Sequence, residues 1–120
     1  MKIAVTSKGT DLNSKVDARF GLAEYILIVD TFSLSVDVIE NSKSIDPRQN
    51  AGVRAAAAVR DKGAYSVLTG FCGFEAYQTL NEARIKVANQ ISGTVMDAVK
   101  AFNEGRVAFA DSSPPSKQVK

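Results

Sequence analysis

Residues 25–40 read Tyr-Ile-Leu-Ile-Val-Asp-Thr-Phe-Ser-Leu-Ser-Val-Asp-Val-Ile-Glu, and this stretch decides the fold. Its first part, residues 25–29, is a continuous run of apolar and β-branched side chains, typical of a strand that is buried on both faces. Residues 35–40 alternate apolar and polar side chains, which favours a half-exposed strand near a sheet edge. Because the connection between the two runs is short, the sequence predicts an antiparallel hairpin.

Three more strands and three helices are predicted around this hairpin. The strands cover residues 2–6, 65–69 and 85–87, and the helices cover residues 51–62, 74–83 and the segment between Thr94 and Gly105. Asn50 and Thr94 are suitable N-caps, and Gly63 and Gly105 stand where a helix-ending glycine belongs. The order is therefore β-β-β-α-β-α-β-α. A hairpin followed by β-α-β units requires a mixed sheet covered by helices, which is an α/β fold.

The length of 120 residues fits one domain. We expect a single α/β domain over residues 1–107 and a largely disordered tail over residues 108–120, whose polar end offers nothing to pack. The first residues lack the features of a secretory signal, and the longest apolar run is far shorter than a membrane span. With one unpaired cysteine, the sequence predicts a cytoplasmic protein without a membrane partner.

Composition excludes several classes of function. The chain has no histidine, one cysteine and a net charge of +2. It therefore cannot build a Ser-His-Asp or Cys-His pair, a histidine metal site, an intrachain disulfide or a site of several thiolates. The small net charge gives no indication of nucleic-acid binding. Neither a P-loop nor a Rossmann glycine pattern is present, and no general base with a partner can be named, so the sequence predicts a protein that is not an enzyme.

Three loops follow strands that are predicted to be parallel, at the sheet edge where ligands bind in open α/β sheets. They are residues 7–10, 70–73 and 89–94, and the last two lead into helices. The N–H groups at a helix start carry partial positive charge, and Lys8 and Arg19 would add full charges. These features predict a site for a small anion or an anionic cofactor, held mainly by backbone donors.

Each of these features also has a structural interpretation. Glycines at strand-to-helix junctions are required by turns alone. Arg19 could pair with Asp17 and fix its loop. Cys72 could be a small buried hydrophobic residue, or a thiol with a lowered pKa because it precedes a helix.

The arrangement of segments resembles the dinitrogenase iron–molybdenum cofactor biosynthesis family over about residues 1–107. No single motif is specific, but their order and spacing together are. The resemblance implies a ribonuclease H-like three-layer α/β/α fold with a five-stranded mixed sheet. The segments that carry it are Met1 to Val5, Asp17 to Asp30, Ala51 to Ala56, Thr69 to Ala76, Ile85 to Val87 and Gly93 to Gly105.

The resemblance implies non-catalytic carriage or storage of an anionic metal–sulfur cluster that contains molybdenum. The cluster would be of the molybdenum–copper sulfide or iron–molybdenum type and would be held mainly without covalent bonds, as in the stand-alone members that this chain resembles most. The resemblance and the positions of the three loops together predict which residues contact the cluster. They are Lys8, Arg19, Phe20, Gly21, Asn50, Gly52, Gly70, Cys72, Gly73, Gly93 and Thr94.

The chain departs from the family pattern at one informative place. Many members carry a histidine-glycine pair just before the first helix, where this sequence has Gln49, Asn50, Ala51 and Gly52. Direct histidine ligation is therefore impossible, and Cys72 is the only thiol ligand that the chain offers. The same departure motivates an alternative, a regulatory or adaptor domain that binds a protein partner and no cluster. A Walker-type ATPase or a cluster-assembly protein is the partner that the resemblance implies.

Overall fold

The computed structural model describes residues 1–41 and 50–110 of the chain. Its elements confirm the predicted order of strands and helices. They are β1 (Lys2–Ser7), β2 (Tyr25–Asp30), β3 (Val36–Ile39), α1 (Ala51–Asp61), β4 (Ser66–Leu68), α2 (Phe74–Glu82), β5 (Lys86–Ala88) and α3 (Val95–Asn103).

The strands form one five-stranded mixed sheet in the order β3-β2-β1-β4-β5. The hairpin is confirmed, since β2 pairs antiparallel with both β1 and β3. β4 is parallel to β1, and β5 is parallel to β4. The carboxyl ends of β1, β4 and β5 therefore lie at the same edge of the sheet, next to the amino ends of the helices that follow β4 and β5.

The helices cover both faces of the sheet, which makes three layers. Ala4, Ile26 and Val67 pack with α1 and α2 on one face. Their neighbours along the strands, such as Val5 and Leu27, pack with α3 on the other face. Residues 26–29 of β2 are buried on alternate sides, as their continuous apolar run predicts. β3 is only partly buried because it lies at the end of the sheet.

Both predicted N-caps are confirmed. The Asn50 side chain accepts a hydrogen bond from the backbone N–H of Val53 at 3.1 Å. At the start of α3, Thr94 Oγ1 accepts from the Asp97 N–H at 3.1 Å, while Asp97 Oδ2 accepts from the Thr94 N–H at 3.0 Å. These hydrogen bonds hold the pKa of Asp97 below its usual value, because they favour the charged carboxylate.

The three helices are short. α1 has 11 residues, and α2 and α3 have 9 each. At about 1.5 Å per residue, each is far shorter than the roughly 30 Å hydrocarbon core of a bilayer. Within residues 1–41 and 50–110, no helix has the length and apolar character needed to cross a membrane.

The chain remains attached to the sheet up to residue 110. Phe109 forms an antiparallel bridge with Ala88 of β5, and the Ala110 N–H donates to the Val87 carbonyl at 2.7 Å. The Phe109 ring also packs edge-to-face on Phe102 of α3. Residues 108–110, which the sequence assigns to the tail, therefore belong to the domain. The rest of the predicted tail, residues 111–120, lies outside the described residues.

We expect Thr94→Ala to lower the free energy of unfolding by about 1 kcal/mol, because it removes the hydroxyl that accepts the Asp97 N–H. Urea denaturation at pH 7 measures the change. Ser92→Ala, at an exposed position two residues earlier, is the control and should change stability by less than about 0.5 kcal/mol. Equal effects of the two substitutions would contradict a stabilising role for this cap.

Candidate functional site

A cavity of about 670 Å³ opens beside the carboxyl end of β4, where the amino ends of α1 and α2 meet the loop that precedes β2. We call it the α1–α2 cavity. Its walls consist of backbone at the two helix starts, a few apolar side chains and two residues of opposite charge. The lining residues are Arg19, Phe20, Gly21, Leu22, Asn50, Ala51, Gly52, Phe71, Gly73, Phe74, Glu75 and Ala76.

The structure brings together part of the site that the sequence predicts. The predicted residues that line the cavity are Arg19, Phe20, Gly21, Asn50, Gly52 and Gly73. The predicted residues Lys8, Gly70, Cys72, Gly93 and Thr94 do not line it. Gln49, which precedes Asn50 in the family segment, lies outside the described residues.

Lys8, Gly93 and Thr94 are grouped elsewhere, around the start of α3. Thr94 is the N-cap of that helix, and it forms a bridge with Lys15. The Lys15 carbonyl in turn accepts a hydrogen bond from the Lys8 N–H at 2.9 Å. The Gly93 carbonyl accepts one from the Val16 N–H, also at 2.9 Å. α3 packs on the sheet face opposite to α1 and α2, so these residues serve a different part of the molecule.

Two threonines hold the loop that leads into the cavity. Thr6 at the end of β1 and Thr69 after β4 share a hydrogen bond of 2.8 Å between their hydroxyl oxygens. Thr6 Oγ1 also donates to the Asp17 carbonyl at 2.7 Å, and the Asp17 N–H donates back to the Thr6 carbonyl at 3.0 Å. All three residues are buried, so these polar groups depend on one another for partners.

Asp17 fixes Arg19 at the cavity wall. Asp17 Oδ1 accepts from the Arg19 backbone N–H at 3.0 Å and from Arg19 Nε at 3.4 Å. The Asp17 side chain is almost fully buried, whereas the Arg19 side chain is 62% exposed. The structural interpretation of Arg19, pairing with Asp17, is thus confirmed, and the same residue also lines the cavity.

The loop of Arg19 and the loop after β4 are joined by backbone contacts. Arg19 forms a parallel bridge with Phe71, and the Phe20 N–H donates to the Phe71 carbonyl at 3.1 Å. Close packing of glycines reinforces the junction. A Cβ on Gly21 would lie 2.7 Å from the Gly52 nitrogen, and a Cβ on Gly70 would lie 2.6 Å from Ala18 Cα. These glycines are therefore required by packing, whether or not a ligand binds.

The amino ends of two helices face the cavity. Gly73 is the N-cap of α2 and provides no side-chain hydrogen bond to the first turn. α1 is capped by Asn50 and has no acidic residue in its first turn. Helix starts carry partial positive charge, and with Arg19 they make this wall favourable for an anion.

Cys72 is fully buried in the core on the α1 and α2 side of the sheet. Its backbone N–H donates to Asn89 Oδ1 at 2.9 Å, and its thiol contacts the Gly73 carbonyl at 3.7 Å. Burial raises the pKa of the Cys72 thiol to about 12, because an apolar environment disfavours the thiolate. The interpretation as a small buried hydrophobic residue is confirmed, and the alternative of a lowered pKa is wrong because burial raises it.

The part of the chain that the structure describes contains no group of three or more histidine, cysteine, aspartate or glutamate residues that could hold a metal ion.

Sequence reasoning missed the apolar rim and the acidic residue of the cavity. Leu22 and Phe71 line it and are 52% and 59% exposed, although large apolar side chains usually avoid water. Glu75 lies in the first turn of α2. The signal for Phe71 was its place between glycines in a strand-to-helix loop, and the signal for Glu75 was an acid at a helix start. Leu22 carried no such signal.

The comparison with known protein families decides the relationship. The family model described as dinitrogenase iron-molybdenum cofactor matches residues 1–105. The chain belongs to this family. The match includes every lining residue of the α1–α2 cavity. No curated protein matches the chain.

Solved structures resemble the chain over almost its whole length. The apo form of the orange protein from Desulfovibrio gigas shares 36% identity, with 95% of this chain and 96% of that chain covered and a TM-score of 0.89. A candidate NifB protein from Thermotoga shares 34% identity over 97% and 98% of the two chains, with a TM-score of 0.80. A candidate dinitrogenase from Methanocaldococcus jannaschii, at 20% identity, 95% and 97% coverage and a TM-score of 0.69, shows the fold alone.

We expect Cys72 to be unreactive towards Ellman's reagent in the folded protein at pH 8, because its thiol is buried and its pKa is raised. Reaction should go to one thiol per chain once the protein is unfolded in guanidinium chloride. Stability should also fall as the pH rises from about 9 towards 12, because only the unfolded chain then ionises its thiol. Rapid reaction of the folded protein would contradict this placement.

We expect Gly21→Ala to destabilise the fold by about 1–3 kcal/mol, because the new methyl group would meet the backbone of Gly52. Gly73→Ala is a matched control at the same cavity, since the nearest atom to its Cβ would be 4.0 Å away. Its stability should stay within about 1 kcal/mol of the wild type. Thermal unfolding measures both variants, and equal losses would show that the Gly21–Gly52 approach is unimportant.

Proposed function

We propose that this protein binds an anionic metal–sulfur cluster that contains molybdenum in the α1–α2 cavity, and that it carries or stores this cargo without catalysis. The cluster would be of the molybdenum–copper sulfide or iron–molybdenum type. Membership of the dinitrogenase iron-molybdenum cofactor family supports a cluster as the ligand. The likeness to the orange protein, at 36% identity, supports a small stand-alone carrier.

One observation carries the proposal. A single cavity combines the Arg19 side chain with the amino ends of α1 and α2, which are close enough for Gly52 to pack against Ala76. Full and partial positive charges thus converge on the same space. Partly exposed Arg19 keeps contact with water, so the cavity favours an anion that is bound reversibly.

The apolar rim suits a cluster better than a small hydrated ion. The sulfide surface of a cluster is polarisable and weakly hydrated, so contact with Phe71 and Leu22 would remove little bound water. A volume of about 670 Å³ lies within the usual range for small-ligand sites of roughly 300–1,000 Å³. The cavity is therefore large enough for an ion of several atoms.

The residues present favour binding without a protein-to-metal bond. The chain has no histidine, and the thiol of Cys72 is buried with a raised pKa. Backbone N–H groups at the start of α2 would instead donate to sulfide, while Arg19 would balance the charge of the cluster. Such contacts hold a preassembled cluster and allow its release intact.

The test is a titration with tetrathiomolybdate and copper(I) under anaerobic conditions, followed by visible absorption of the bound cluster. We expect saturable binding at one site per chain and a loss of about 5- to 20-fold in affinity for Arg19→Gln, because one charge-assisted contact is removed. Arg60→Gln is the matched control, since this arginine pairs with Asp61 on the exposed end of α1. Lys8→Gln, outside the cavity, should also leave the affinity within about twofold.

Two results would overturn the proposal. The first is a wild-type protein that stays colourless and metal-free after incubation and gel filtration. The second is an equal loss of affinity in Arg19→Gln, Arg60→Gln and Lys8→Gln, which would indicate a general effect of net charge rather than a site.

A second function is favoured by the exposure of Leu22 and Phe71 at the same cavity. In this alternative the domain is regulatory and recognises a protein partner, such as a Walker-type ATPase or a cluster-assembly protein, without holding a cluster. The two functions depend on different residues of the cavity. Binding of a purified partner that is reduced by Phe71→Ser but unaffected by Arg19→Gln, together with absence of cluster binding, would favour this alternative.

A further inference from the structure

Glu75 is the one acidic side chain in the described lining of the α1–α2 cavity, whose other polar features attract anions. It lies in the first turn of α2, two residues after Gly73, the N-cap that provides no side-chain hydrogen bond. The Asn50 side-chain amide donates a hydrogen bond to Glu75 Oε1. The carboxylate therefore lies between the starts of both helices.

The contact with Asn50 has a defined orientation. Asn50 Oδ1 accepts the Val53 N–H and caps α1, which leaves the amide nitrogen to face Glu75. α1 has no acidic residue of its own in the first turn. Glu75 thus supplies the negative charge that both helix starts favour, although it belongs to only one of them.

We propose that Glu75 is a built-in competitor that occupies the anion position of the cavity and weakens the binding of ligands whose attraction is charge alone. This inference rests on the proposed function, because it assigns the α1–α2 cavity to an anionic cargo. An entering anion must displace the carboxylate or share the helix starts with it. The negative charges of the Glu75 carboxylate and of the anion repel each other, and this repulsion lowers the affinity for the anion.

The consequence for function is a lower affinity for every anion, which only a ligand with further contacts overcomes, together with release. A small hydrated anion gains only the electrostatic contacts that Glu75 already satisfies, so it binds weakly. A cluster with a sulfide surface also contacts Phe71 and Leu22, and this additional contact offsets the competition. When the cargo leaves, Glu75 can return to Asn50, so neither helix start lacks its negative partner.

The experiment compares Glu75→Gln with the wild type. Glutamine keeps an oxygen that can accept from Asn50 and removes only the charge. Glu82→Gln is the matched control, because it removes the same charge from the exposed carboxyl end of the same helix, about 10 Å along its axis. Urea denaturation of each variant first establishes that the fold is retained.

Two probes are titrated, tetrathiomolybdate and inorganic phosphate. We expect Glu75→Gln to bind both about 3- to 10-fold more tightly than Glu82→Gln and the wild type at low ionic strength. The gain should shrink at 0.5 M salt, where charges are screened within a few ångström. A merely structural role of Glu75 would not produce this salt dependence.

The outcomes separate the inference from the proposed function. If the wild type binds tetrathiomolybdate through Arg19 but Glu75→Gln binds no more tightly than Glu82→Gln, only the inference is overturned. If Glu75→Gln gains phosphate binding while no protein takes up a cluster, the competitor role stands and the cargo assignment fails. If no variant binds either anion, both are overturned.

Discussion

The hydrogen bond between the hydroxyls of Thr6 and Thr69 is the constraint on which the candidate site depends. It joins the ends of β1 and β4 in the interior, where an unpaired hydroxyl would cost about 1–3 kcal/mol. Thr6 also holds the backbone of Asp17, because its hydroxyl donates to the Asp17 carbonyl and its carbonyl accepts the Asp17 N–H. Since Asp17 orients Arg19, the position of the most prominent positive charge in the cavity follows from a pair of neutral side chains at the end of the sheet.

The cavity is shaped by backbone more than by side chains. Gly21 and Gly52 let the loop before β2 lie directly on the start of α1. Gly70, which follows β4, lets the backbone of Ala18 in that loop approach closely. Close approach of this kind fixes the two helix starts relative to Arg19 with little rotamer freedom. Binding an anion at such a wall requires less ordering of side chains than binding by several flexible lysines would.

The sheet and the helix ends could be predicted because their signals are local. The apolar run of residues 25–29 identifies a buried strand, and the Thr94–Asp97 spacing identifies a helix start. Each of these signals lies within a few consecutive residues. The composition of the site depended instead on contacts between distant segments. Nothing near Lys8 in the sequence shows that its loop joins the start of α3, and nothing near Cys72 shows that its thiol points into the core. The sequence also predicts the glycines of the site, but the need for them comes from packing partners that only the fold supplies.

The bridge between Phe109 and Ala88 also limits how one molecule can associate with another. Unpaired strand edges act as templates on which further chains can add. In the described part of the chain, residues 109–110 occupy part of the outer edge of β5, while β3 at the other end of the sheet has only four residues. Among the described residues, a further strand could therefore add at β5 only after residues 109–110 had left that edge.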